Sequence, residues 1–258
     1  MAERKLIYFV ADVHLGLRMQ DPAEREARFI DFLKGLPVEE MRALYLLGDI
    51  WDFWYEYRDV VPRSSARVVA QFIRLMDAGV EVWFCPGNHD IWTYSFFEEL
   101  GMHRFEQPFH VTLDGKDFCL GHGDLLGGAP AGYAFMLKVF RCRPLQRLFS
   151  TLHPWLAYRF GLGWSNSSRR QHPDYVFPGE NAPLYRFALE ESKRQHVDYF
   201  LFGHYHCDVD MTLPTGARFC ILKDWIGGGT PHAVFNGVSF ELHSPASPAG
   251  QRNAPAAP

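Results

Sequence analysis

Ala43-Leu44-Tyr45-Leu46-Leu47-Gly48-Asp49 is an unbroken apolar run that stops abruptly at Gly-Asp. Such a run, too short for a helix and closed by a turn residue, reads as a strand buried on both faces. Four other stretches have the same form: Leu6 to Val10, Val80 to Cys85, Asp117 to Leu120 and Val197 to Phe202, each followed by Gly, Asp, His or Asn. Between them, Glu24 to Leu33, Ser65 to Met76 and Pro183 to Lys193 carry apolar residues at helical spacing. Strands alternating with helices put the chain in the α/β class, with ligand chemistry expected at the carboxyl ends of the strands.

The 258 residues, 47% of them apolar, suit one compact core carrying an insertion. A net charge of −4, with acids and bases interleaved, argues against a polyanion-binding protein, so no nucleic-acid partner is expected. Five cysteines without a Cys-x-x-Cys pair argue against a disulfide framework or a structural zinc cluster and suit a reducing cytosol. The apolar start before Asp12 is too short for a signal peptide or a membrane span. Nothing in the sequence points to a protein partner.

Residues 125–171 stand apart. They contain no Asp or Glu but carry Lys138, Arg141, Arg143, Arg147, Arg159, Arg169 and Arg170 among many large apolar side chains. We read them as a helical insertion, with 1–124 and 172–243 forming the core and 244–258, rich in Pro, Ala, Ser and Gly, a disordered tail. A solvated basic helix pair would explain the insertion's charge; the absence of acid favours instead a lid that meets acyl chains and anionic headgroups.

The strand ends spell Asp12-Val13-His14, Gly48-Asp49, Gly87-Asn88-His89-Asp90, Gly121-His122 and Gly203-His204-Tyr205-His206. Any one fragment alone is more often an ordinary polar turn. Together they supply the oxygen and nitrogen donors that hold two divalent transition ions about 3.5–4 Å apart. A carboxylate has lone pairs for two ions and imidazole does not, so an Asp is the natural bridge. Two such ions with two carboxylates and neutral His and Asn ligands leave a centre near +2, suited to an anionic phosphate. A water there would lose its proton near neutral pH and attack phosphorus. Mixed N/O ligation favours manganese, iron, cobalt or zinc over magnesium or calcium.

In content and order these blocks resemble the calcineurin-like metallophosphoesterases. The resemblance implies a β-sandwich flanked by helices in α-β-β-α layers, with Asp12, His14 and His206 on one ion, Asn88, His122 and His204 on the other, and Asp49 bridging. His89 would stabilise a phosphate oxygen or protonate the leaving group. Asp90 and Asp124 would orient imidazoles.

Leu46-Leu47-Gly48-Asp49-Ile50-Trp51-Asp52-Phe53-Trp54, His122-Gly123-Asp124, Tyr133, Trp164-Ser165-Asn166-Ser167-Ser168-Arg169 and Asp198 to His204 extend the likeness. They are similar to the UDP-2,3-diacylglucosamine hydrolases of lipid A synthesis. That resemblance implies a manganese-type centre and a lipid-linked nucleotide sugar as substrate, cleaved to UMP and 2,3-diacylglucosamine 1-phosphate (lipid X). It also implies peripheral work at the cytoplasmic face of the inner membrane. Tyr133, Asn166, Ser168 and Arg169, with His89, are the substrate-binding candidates. Two departures stand out: His89 where one branch has Arg, and Lys223 before Asp224-Trp225 where relatives have Gly. The rival readings are a phosphoesterase acting on soluble nucleotides, phosphoproteins or nucleic acid ends, and a metal-free scaffold that kept the fold.

Of the remaining residues, Cys85, Cys119 and Cys220 read as small core residues, and Trp51, Trp54 and Tyr55 as packing more readily than as pocket walls.

Overall fold

The computed structural model describes residues 4–171 and 176–244, with backbone alone over 166–171. The expected tail therefore falls, apart from Ser244, outside the described residues.

Two sheets face each other. The first runs β11-β10-β1-β2-β3-β4, from β1 (Leu6–Val10), β2 (Met41–Leu47), β3 (Glu81–Cys85), β4 (His103–Arg104), β10 (His232–Phe235) and β11 (Phe240–His243). Its strands β1 to β4 pair in parallel, while β10 joins β1 antiparallel. The second runs β5-β6-β7-β9-β8, from β5 (Phe109–Leu113), β6 (Lys116–Leu120), β7 (Tyr199–Phe202), β8 (Val209–Thr212) and β9 (Arg218–Ile221).

Side-chain alternation divides the interior into three layers. From β1 and the residues after it, Ile7, Phe9 and Ala11 point between the sheets, where they meet Tyr45, Phe118, Leu201 and Phe235. Val10 and Val13 point outward, into the layer of α1 (Pro22–Gly35), α2 (Ala66–Asp77) and the short α3 (Phe96–Glu99). On the far side, Phe200 and Phe202 of β7 pack beneath α7 (Pro183–Arg194). Strands covered on both faces must be apolar at every position, which is why these runs are unbroken. The result is the α/β sandwich with helices on both outer faces.

Helix α1 shows how local sequence sets an outer layer. Asp21 caps it, its Oδ1 accepting from the N–H groups of Ala23 (3.0 Å) and Glu24 (3.1 Å), and Pro22 begins the first turn. Such a cap contributes about 1 kcal/mol. Phe29, Ile30 and Leu33 then form the buried stripe.

Strands β4, β5, β8, β9, β10 and β11 escape the sequence reading. The exposed and buried residues of β5 and β11 alternate along edge positions, and β4 spans only two residues, so none offers a long apolar run. Residues 125–171 are helical: α4 (Ala131–Phe140), α5 (Arg143–Phe149) and α6 (Pro154–Gln171). They are fastened to the loops after β2 and β3. Tyr158 Oη accepts from the Tyr55 N–H (3.2 Å) and donates to the Tyr55 carbonyl (3.1 Å), while Trp92 Nε1–H donates to the Phe140 carbonyl (3.0 Å). No described helix is long and apolar enough to cross a membrane.

Candidate metal centre

The loops following β1, β2, β3, β6 and β7 converge at one end of the sandwich. Asp12, His14, Asp49, His204 and His206 all hold their backbones in the left-handed region, with φ between 51° and 70°. That conformation is uncommon for residues with a Cβ and clusters at functional sites. It turns each side chain from the strand direction toward a common point.

The donors gather in two groups. Asp12 Oδ1 lies 3.3 Å from His206 Nε2 and 3.6 Å from His14 Nε2, and the two Nε2 atoms are 3.1 Å apart. His122 Nε2 lies 3.1 Å from Asn88 Oδ1, with the His204 ring 5.1 Å from the His122 ring, centroid to centroid. Asp49 Oδ2 stands between the groups, 3.8 Å from His14 Nε2 and 3.3 Å from His122 Nε2. All seven side chains named from the sequence come to this place.

The donor chemistry fits cations. His14 Nδ1 faces Asp52 Oδ1 at 3.3 Å, His206 Nδ1 faces Asp224 Oδ2 at 3.5 Å, and His122 Nδ1 meets the Leu47 carbonyl at 3.0 Å. Acceptors facing Nδ1 favour the tautomer with its proton there, which would leave Nε2 as a lone pair. In that tautomer the lone pairs of His14 and His206 confront each other, and Asp12 Oδ1, buried, accepts no hydrogen bond from a described residue. Such a convergence is repulsive unless positive charge lies among the atoms. Burial works against charge on the His122 imidazole, but Asp49 beside it outweighs burial and holds that ring well above its usual range. Burial alone would raise Asp49, but His122 and His89 beside it bring its carboxyl below the usual range. Burial and then His122 hold His204 well below.

Close approach explains three glycines. A Cβ on Gly87 would stand 2.2 Å from Asp49 Oδ1, one on Gly203 2.3 Å from Asp12 Oδ2, and one on Gly48 2.6 Å from His122 Nδ1.

Two expectations need correction. Among the described residues Asp90 hydrogen-bonds to no imidazole: its carboxylate accepts from the N–H groups of Gly87 (2.7 Å), Ile50 (2.8 Å), Asp49 (3.3 Å) and Trp51 (3.3 Å). It clamps the β2 and β3 loops together. Burial and then the Asp49 charge push it up to about 7, against those donors. Asp124 likewise meets an amide, Gln107 Nε2 at 2.6 Å, and not an imidazole. The residues that do back the imidazoles, Asp52 and Asp224, were passed over. The signal was present in Asp52, three residues after the bridge, and in the Asp224-Trp225 pair.

Replacing Asp90 with Asn should therefore cost about 2 kcal/mol of unfolding free energy, since each carboxylate oxygen accepts from two buried N–H groups and an amide NH2 in either place accepts none. Urea denaturation measures it. A loss of metal affinity at unchanged stability would refute the clamp.

His89 lies beside the donors, its ring 5.1 Å from that of His14, centroid to centroid. Its N–H donates to Asp49 Oδ1 (2.8 Å) and its Nδ1 lies 2.9 Å from the Asp52 carbonyl. Tyr133, on α4, brings its ring to 6.3 Å from that of His204, with a buried hydroxyl that has no hydrogen-bond partner among the described residues. Burial, and then Asp124 and Asp49, push that phenol up. The side chains of Asn166, Ser168 and Arg169 lie outside the described residues; α6 carries their backbone.

The profile of the calcineurin-like phosphoesterases matches residues 5–208. A UDP-2,3-diacylglucosamine hydrolase of Porphyromonas gingivalis is 38% identical over 259 residues, covering 93% of this chain and 98% of that one. One from Neisseria gonorrhoeae is 32% identical over 220 residues, covering 84% and 89%. Among solved structures, a dimetal phosphatase from Danio rerio superposes with a TM-score of 0.48 at 17% identity, covering 93% of this chain and 98% of that one. Likeness that begins before the first strand, runs past the last motif loop and extends over nearly the full length of a curated relative settles the kinship: this chain belongs to the calcineurin-like phosphoesterase family, in the branch of the UDP-2,3-diacylglucosamine hydrolases.

Proposed function

We propose that the chain hydrolyses the pyrophosphate bond of UDP-2,3-diacylglucosamine at the α-phosphorus, releasing UMP and 2,3-diacylglucosamine 1-phosphate. The observation that carries this reading is the single Asp49 oxygen standing within 4 Å of an imidazole from each donor group, in a chain so like a named hydrolase. Asp12, His14, His206 and Asp49 would hold one divalent ion, and Asn88, His122, His204 and Asp49 the other. Manganese is the proposed metal; zinc, iron or cobalt suits the same donors. Bound there, the pair supplies positive charge for the phosphate and acidifies a water.

The chain's own groups do the rest. His89, with Nδ1 engaged by the Asp52 carbonyl, has Nε2 for a phosphate oxygen or for protonating the leaving group. Tyr133 has a buried hydroxyl to donate to the substrate. We assign residues 125–171 the role of a lid over the core. An apolar cavity of about 630 Å³ along α4 and α5, lined by Leu125, Phe135, Leu137, Val139 and Leu145 with Lys138 and Arg141, suits an acyl chain beside an anionic headgroup. Phe135, Trp155 and Phe160 are each more than 60% exposed on a segment without acid, which supports peripheral contact with the anionic cytoplasmic face of the inner membrane.

The test is to incubate the protein with the lipid nucleotide and manganese and to assay UMP and lipid phosphate. In labelled water, label in UMP marks attack at the α-phosphorus; label in the lipid phosphate overturns it. Arg169→Ala should raise KM for the lipid nucleotide about tenfold, one charge-assisted contact, while sparing a small phosphodiester. Equal loss on both substrates would remove Arg169 from the binding site.

A further inference from the structure

The groups behind the imidazoles differ between the two halves of the centre. His14 and His206 both back onto carboxylates, Asp52 at 3.3 Å and Asp224 at 3.5 Å. His122 backs onto a neutral carbonyl, and the His204 ring makes no hydrogen bond to a described residue. The first half also owns a charged ligand, Asp12, where the second has neutral Asn88. With Asp49 shared, three carboxylates belong to the first half alone. Asp90 and Asp124 lie near His122, but Asp90 is spent on four N–H groups, and Arg141 stands 3.8 Å from Asp124 Oδ2.

Asp224 is itself held in place. Its Oδ1 accepts from the Ile226 N–H (2.7 Å), and the next residue, Trp225, is fully buried against Phe29 and Phe32 of α1. The Trp225 N–H donates to the Asp12 carbonyl at 3.1 Å. One dipeptide thus ties two ligands of the same half, Asp12 through its backbone and His206 through its ring, to the helical layer.

We infer that the centre binds its cations unequally: the Asp12, His14 and His206 half is the tight site, the Asn88, His122 and His204 half is the exchangeable one, and Asp224 is a positioning residue for the tight half alone. A carboxylate behind an imidazole raises its basicity as a ligand and fixes its orientation, and added negative charge strengthens attraction for a divalent ion. The inference rests on the two-cation reading of the centre.

The experiment titrates the metal-free full-length chain with manganese and follows the free ion by electron paramagnetic resonance. Two classes of one ion each are expected, separated by on the order of tenfold or more. Asn88→Ala should remove the weak class and keep the tight one. Asp224→Asn, checked for folding by circular dichroism, should weaken the tight class about tenfold and leave the weak one, with partial recovery in Asp224→Glu. Two indistinguishable classes would overturn the inference, as would an Asp224→Asn variant that shifts both or neither. Failure of the unaltered chain to bind manganese at all would instead defeat the two-cation reading.

Discussion

Asp49→Ala is expected to lower kcat by about 10³-fold or more, with no recovery at high manganese. Among the described carboxylates, Asp49 is the one with an oxygen, Oδ2, within 4 Å of an imidazole from each donor group, at 3.8 Å from His14 and 3.3 Å from His122. Its removal leaves two partial sites with nothing negative between them. The other oxygen, Oδ1, accepts the His89 N–H at 2.8 Å, so the loop that aims His89 is released as well. Two ions acting together contribute several kcal/mol of charge stabilisation in the transition state, and each 1.4 kcal/mol is a factor of ten. Steady-state kinetics with metal analysis of the purified variant decide the matter. A loss of only a few-fold would mean that Asp49 does not bridge.

Gly87→Ala is expected to damage the centre without touching a ligand. The added methyl would lie 2.2 Å from Asp49 Oδ1 and 2.6 Å from the Asp49 backbone nitrogen, and neither can retreat, because Asp90 pins the N–H groups of both Gly87 and Asp49. Overpacking of this kind costs about 1–3 kcal/mol of stability. Displacing a reacting group by about 1 Å lowers turnover on the order of 10²-fold. Gly35→Ala supplies the control: nothing lies within 4 Å of a Cβ there, at the end of α1, so it should be neutral or stabilise by up to about 1 kcal/mol. Equal urea midpoints and kcat for the two variants would show that the Gly87 contact is tolerated.

The strands that carry the metal loops were legible in the sequence because parallel strands covered on both faces need apolar residues wherever they are buried, and β1, β2, β3, β6 and β7 carry such residues in their carboxyl-terminal halves. Their loops were legible because side chains converging on one point require Gly neighbours at fixed places. The edges of both sheets were not, since β5 and β11 hide one face only. Trp51 and Trp54 prove to be packing, both buried against Phe97.

Inside the site, proximity in sequence misled. Asp90 and Asp124 sit beside or close to motif histidines, but the turn after His89 carries the Asp90 carboxylate back to main-chain amides, and Gln107 captures Asp124. Asp52 and Asp224 reach their imidazoles through loop direction, which residue spacing does not encode.

The left-handed backbones of Asp12, His14, Asp49, His204 and His206 bear on more than geometry. Each such residue costs about 1 kcal/mol or more, and a domain's whole net stability is only ~5–15 kcal/mol. Ions that bind the native form alone offset that burden by mass action. Starvation for transition metal would then deplete the protein itself, through faster capture of unfolded chains by proteases, as well as silencing its turnover.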